Sequence, residues 1–272
     1  MPFTPSHAAA ALLFTRTPLL PAALVAGSLA PDLPYYLPVP IDRELTHEPL
    51  GIVTVDLAIA ALTFLAWQAV FRTPVLDLAP GWLRTRIPQR RSAGWWAPGS
   101  AAVPVGLVLV LSLVVGSITH LAWDAFTHPG WLVDRVPVLQ ATAGPLAVHK
   151  WLQHASSVIG LAALAAYAVR WVQKTPRLPV EPVVNGGVRR ATWFTVAAVF
   201  VATGLAGWGF LLLARRQAGL PFVPFDPGVV FQTARICVAS ALAAAVLACG
   251  WWYRLRAQRE RSTATTLPST SA

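Results

Sequence analysis

The chain has 272 residues, a mean hydropathy of +0.57 and only 12% Asp, Glu, Lys and Arg, against about 25% in an average soluble domain. That composition excludes an ordinary water-soluble globule. The net charge of +10 does not call for a nucleic-acid partner, because Lys and Arg fall in short segments between apolar runs, as in polytopic membrane proteins.

Residues 6–30 are apolar but interrupted by Arg16, Thr17, Pro18 and Pro21. Two short helices, about 6–15 and 19–29, forming a re-entrant hairpin fit this better than one spanning helix. Thr17-Pro18 is a helix stop followed by a Pro-led start. A cleaved leader is a third reading: Ser28-Leu29-Ala30 has the small-x-small form, but no Lys or Arg precedes the run and Pro31 would follow the cut. Downstream, apolar runs of about 17 residues or more predict spanning helices near 51–71, 100–123, 155–172, 191–213 and 229–252. The expected fold class is therefore all-α: a polytopic membrane helical bundle of about five spanning helices plus an N-terminal re-entrant hairpin.

Basic residues set the expected orientation. The 72–99 segment carries Arg72, Arg84, Arg86, Arg90 and Arg91; the 173–190 segment carries Lys174, Arg177, Arg189 and Arg190; the tail carries Arg254, Arg256, Arg259 and Arg261. All three alternate correctly as cytoplasmic, which puts 31–50 and 124–154 on the outer side of the membrane. All six histidines lie in residues 1–154. Composition thus separates a His/Asp-bearing core, 1–172, from a two-helix anchor, 173–254, and a Ser/Thr-rich tail, 255–272, expected to be disordered. Cys237 and Cys249 are about 18 Å apart on one predicted helix, too far for a disulfide, and read as packing residues.

The polar centre of this apolar chain is SITHLAWDAFTH, residues 117–128. His120, Asp124 and His128 recur every four residues and form one slowly drifting stripe on a helix. His128 precedes Pro129, so the helix should end near Thr127. A His and a carboxylate at i, i+4 suit Zn²⁺, and the same O/N set suits Mn²⁺ or Fe; the alternative is a His–Asp hydrogen bond between helices. On the topology above, His47, Asp32, Asp124, His128, His149 and His154 share one membrane face, with His120 about one turn deeper. His7 joins them only if 6–30 is a hairpin. His149 and His154 are i, i+5, and both serve the site only if the helix starts between them or if one of them supports a ligand from behind. Asp42, Glu44 and Glu48 read as solvated loop charges, with Glu48 beside His47 the one that could instead serve as a base. Trp123, Trp131, Trp151, Tyr35 and Tyr36 fit an interfacial aromatic belt.

Taken together, MPFTPSHAAAA, SLAPDLPYY, THLAWDAFTHPG and HKWLQHASSVIG resemble a bacterial family of integral membrane proteins, the domain of unknown function numbered 4184. More distantly they resemble LexA-regulated membrane-bound metal-dependent hydrolases. A weaker resemblance links the chain to zinc-dependent phospholipase C and the P1-type nucleases, all-α enzymes that bind zinc through His-x-x-x-Asp and His-x-x-x-Glu pairs. His120 and Asp124 match the first pair, whereas Gln153 stands where the second would have Glu after His149.

The resulting expectation is a membrane-embedded metallohydrolase with His7, Asp32, His47, His120, Asp124, His128, His149 and His154 as candidate ligands. Zn or Mn would be the cofactor, with Asp32 or Asp124 bridging metals or orienting water. A site at headgroup level suggests a lipid or lipid-linked phosphoester. The alternatives are a metal-ion or proton transporter, or a non-catalytic membrane protein with structural histidines.

Overall fold

The computed structural model describes residues 4–37, 39–88 and 105–266. A 3-10 helix, Thr4–Phe14, precedes α1 (Pro21–Leu29), α2 (Val55–Ala66), α3 (Arg72–Leu78), α4 (Val105–Thr127), α5 (Val148–Lys174), α6 (Gly186–Gln217) and α7 (Pro227–Thr266). Short helical turns and one two-stranded hairpin, Thr142–Ala143 antiparallel to Leu146–Ala147, fill the connections. Five stretches are long and apolar enough to cross a bilayer: Val55–Leu78, Val105–Thr127, Val148–Lys174, Gly186–Gln217 and Pro227–Ser262. Their outward faces are apolar, Val158 and Ile159 being each 67% exposed. Such faces are stable against lipid and not against water. This is a multi-pass, all-α membrane protein.

The helices differ from expectation at their ends. The helix expected at 51–71 begins at Val55, because Thr54 leaves the helical region (φ −119°, ψ −91°) and sets Pro49–Val53 apart as its own turn. It continues to Leu78 through a π turn, Trp67–Phe71. Pro74 explains that turn: it has no N–H to offer the carbonyl four residues back, and the Tyr253 hydroxyl takes up the Ala69 and Val70 carbonyls instead, at 3.1 and 3.3 Å. Helix α5 starts at Val148, not 155, and α7 runs to Thr266, so residues 255–266 are helical where a disordered tail was expected. Residues 100–104, Arg90, Arg91 and 267–272 lie outside the described residues.

The described residues divide into two compact units, one within Met1–Ala66 and Arg90–Pro176, the other within Trp67–Gln89 and Arg177–Ala272. In the first, the N-terminal segment is two helices, not one. The 3-10 helix closes at Phe14, whose carbonyl accepts both the Thr17 N–H (3.0 Å) and the Thr17 hydroxyl (2.8 Å), and Pro21 opens α1. Helix α1 lies along α4. Ser112 Oγ accepts the Leu20 N–H at 2.9 Å and Ser117 Oγ donates to the Gly27 carbonyl at 3.1 Å. Below them Ala23, Ala26, Ala30, Ala60, Phe64 and Leu113 form an apolar core.

The second unit is built on α6 and α7, joined by a Thr203–Ser240 hydroxyl pair at 2.7 Å. Its best-anchored polar group is Asp77, which accepts the Trp252 indole N–H at 2.7 Å and the Val183 N–H at 3.1 Å. Leu78, Val184 and Trp252 pack around it. Cys237 and Cys249 are buried free thiols, as the sequence spacing requires.

Candidate metal centre

Four segments distant in sequence converge at one end of the first unit. The 3-10 helix brings His7. The turn after α1 brings Asp32. The Arg43–Thr46 turn ends just before His47. The last two turns of α4 bring His120 and Asp124, and His128 follows where Pro129 stops the helix. His7 and His120 are completely buried, Asp32 and Asp124 nearly so. Asp32, His47, His120 and Asp124 each offer one ligand atom, all within 4.8 Å of one another.

Six imidazole–carboxylate approaches define the cluster. Asp32 Oδ1 lies 3.8 Å from His47 Nε2 and 3.6 Å from His120 Nε2. Asp124 Oδ2 lies 3.7 Å from His47 Nε2 and 3.6 Å from His120 Nε2. Asp124 Oδ1 lies 3.5 Å from His7 Nε2 and 3.4 Å from His128 Nδ1. All exceed the roughly 2.7–3.2 Å of a good N–H···O bond. They match the spacing of two donors on one cation: bonds of about 2.1 Å in tetrahedral geometry put neighbouring ligand atoms about 3.4 Å apart.

The surrounding groups orient these donors. The Ser28 carbonyl, which can only accept, lies 2.8 Å from His120 Nδ1; that nitrogen therefore carries a proton, which leaves Nε2, turned to the two carboxylates, as the atom that a cation would take. The Thr4 hydroxyl donates to Asp32 Oδ2 at 2.7 Å, leaving Oδ1 for the two imidazoles. His7 stacks on His120 with centroids 4.1 Å apart and leans on Trp123 at 5.2 Å. Burial, seconded by the His120 ring, pushes the His7 imidazole down from 6.5 to about 3, so it is neutral. His120 Nε2, both His7 nitrogens, Asp124 Oδ1 and His128 Nε2 are buried without a hydrogen-bond partner. Buried polar atoms rarely stay unpaired, and these belong to metal-ligating residue types aimed at one another.

Six of the eight residues singled out from the sequence meet here. His149 and His154 are not among them. Helix α5 begins ahead of both, and a five-residue step turns them about 140° apart. His149 is buried and donates Nδ1–H to the Leu139 carbonyl at 3.0 Å, whereas His154 faces outward and is exposed. Neither lies within 4 Å of a carboxylate among the described residues. Asp42, Glu44 and Glu48 are exposed, as expected for loop charges.

Two contributors were not foreseen. Thr4 is one. The other is Asp56 on α2, fully buried, with neither carboxylate oxygen hydrogen-bonded, and close enough to His47 and His120 to interact with both electrostatically. A lone acid inside an apolar helix was its visible signal.

A pocket of about 440 Å³ opens onto the cluster. His47, Asp124 and His128 contribute its polar groups; Ile52, Ile118 and Trp131 contribute apolar wall.

Fold and site together define a multi-pass membrane protein with a buried His/Asp cluster able to hold a divalent cation. The chain belongs to the family described as Domain of unknown function (DUF4184), whose model matches residues 1–250 and so covers every residue of the cluster. No curated protein and no solved structure matches the chain.

Proposed function

We propose that the protein is a membrane-embedded metal-dependent hydrolase acting on a phosphoester of a lipid or lipid-linked substrate. The observation that carries this reading is the donor set itself: two carboxylates and two imidazoles from three separate segments, all but His47 buried, spaced as ligands and not as hydrogen-bond partners. Zinc suits an N/O set of four, with manganese as the alternative. A divalent cation there supplies Lewis acidity, polarising a phosphoryl oxygen and bringing the pKa of a water to about 7. The chain's own groups do the rest. Asp32 and Asp124 each turn an oxygen to the same two imidazoles, and either carboxylate can orient the attacking water. The Ser28 carbonyl and Thr4 hydroxyl hold His120 and Asp32 in place. The largely apolar pocket over Asp124 and His128, with its few polar groups at the cluster, suits a substrate with a phosphoryl head and a hydrocarbon body. The loop charges favour the outer membrane face for this opening.

Cation or proton passage is supported less well. A pathway needs polar groups continuing across the bilayer. On the same helices, away from the cluster, come Ala60 and Phe64, Leu113, and Ala23 and Ala26, packed as one apolar core. A purely structural cluster is disfavoured by the same distances that favour a cation.

The test is metal content followed by turnover. Untagged protein in mild detergent should carry at least one equivalent of Zn or Mn and hydrolyse phospholipid or lipid-linked phosphodiesters in a chelator-sensitive way. Asp124→Ala and His120→Ala should lose both properties. Bound metal with no ester turnover, but with sustained cation flux in proteoliposomes, would replace this reading with transport.

A further inference from the structure

Asp124 divides its carboxylate between two sets of imidazoles. Oδ2 faces His47 and His120, on the side shared with Asp32. Oδ1 faces His7 Nε2 at 3.5 Å and His128 Nδ1 at 3.4 Å. These two distances are the shortest of the six, and nearest to the roughly 3.4 Å between neighbouring donors on a tetrahedral cation. His7 is completely buried, its Nε2 has no hydrogen-bond partner, and neither has Asp124 Oδ1. Nothing on the Asp32 side employs either atom.

His128 is free to take part. Its Nδ1 lies 3.1 Å from the Thr127 hydroxyl, but that hydroxyl has one proton and the Trp123 carbonyl 3.2 Å away to receive it. This is the usual back-bond of a helical Thr to the residue four earlier. The Nδ1 lone pair can then point at the Asp124 side.

We infer that a second divalent cation binds on the far side of Asp124 from the first, held by His7, His128 and Oδ1 of Asp124, so that Asp124 bridges two cations. This rests on the metal-centre reading above and extends it. Three protein donors leave a position open, the arrangement of reactive rather than structural sites. Asp124 and His128 also line the pocket, so the second cation faces arriving substrate. A pair about 3.5–4 Å apart is the spacing that clamps both the attacking and the leaving oxygen of a phosphoester. His7 gains a role that its stacking on His120 alone does not give it.

The experiment loads untagged, detergent-purified protein with MnCl₂, removes excess by desalting, counts Mn per chain and records the electron paramagnetic resonance spectrum. The wild type should hold two Mn with an exchange-coupled spectrum. His7→Gln and His128→Gln should each hold one, with the uncoupled six-line signal. If His7→Gln does not fold, His128→Gln, at the helix end beside the pocket, carries the test. One Mn in the wild type and one in the variants overturns the second site and leaves the first standing. Two Mn in all three proteins places the extra cation elsewhere and overturns the proposal equally. No Mn in a folded wild type removes the second site together with the proposed function.

Discussion

Gly27 of α1 and Gly116 of α4 meet backbone to backbone: a Cβ on Gly116 would lie 2.9 Å from the Gly27 Cα and 2.8 Å from the Ser28 nitrogen. The next turn of α4 carries His120, whose Nδ1–H reaches the Ser28 carbonyl. The approach these glycines permit is therefore the approach that fixes one imidazole of the cluster. Gly116→Ala should push the helices apart, lower stability by about 1–3 kcal/mol as overpacking does, and reduce bound metal. Gly106→Ala, on the same helix with nothing near its added Cβ, should do neither. Thermal unfolding in detergent and metal analysis on both variants decide it.

His154→Ala should leave metal content unchanged and shift stability by no more than about 0.5 kcal/mol, the usual range for a surface site. His149→Ala should also keep the metal but lose the tie to Leu139, at a cost of about 0.5–1.5 kcal/mol. Metal loss in either variant would bring α5 into the site.

The buried, neutral His7 gives the cation-free protein a pH signature. Its imidazole is held at about 3 against an ordinary 6.5, so between those values the unfolded chain binds a proton that the folded chain does not. The contribution of His7 to stability is complete above about pH 6.5 and is lost as pH drops toward 3, by linkage. His7→Phe should flatten that fall by about one proton's slope. Unfolding of chelator-treated protein at several pH values measures it; an unchanged slope would mean that His7 is protonated in the fold.

Trp252→Phe removes the 2.7 Å indole bond to Asp77 and leaves the carboxylate with the Val183 N–H. A buried acceptor losing its partner costs about 1–3 kcal/mol. Metal content should be unaffected, because every residue of the cluster belongs to the other unit. A parallel loss of metal would show that the second unit supports the site.

His120 and Asp124 could be read from the sequence because helical spacing alone puts them on one face. His7, Asp32 and His47 could be read only through topology: each lies near a proline or turn, and its relevance depended on which membrane face it reached. His7 lies beside His120 and Asp124 because Thr17-Pro18 breaks the N-terminal segment into two helices. The same reasoning did not separate His149 and His154 from the cluster, since the start of α5 follows a hairpin turn at 142–147 that apolar-run counting does not detect. Asp56 was absorbed into a hydrophobic run, where window-averaged hydropathy hides one acid. Residues 67–88 group with the C-terminal helices through bonds such as Asp77–Trp252 and Leu78–Trp193, made across a gap no local pattern spans.

The order of the ligands along the chain also has a consequence for biosynthesis. His7 and Asp32 are made first, and Asp124 and His128 come only with the end of α4. During translation Asp32 has only the Thr4 hydroxyl and His47 as partners, until α4 is made and brings His120 alongside it. A nascent chain stopped before α4 should bind no cation, so metal capture marks the moment when the membrane core closes.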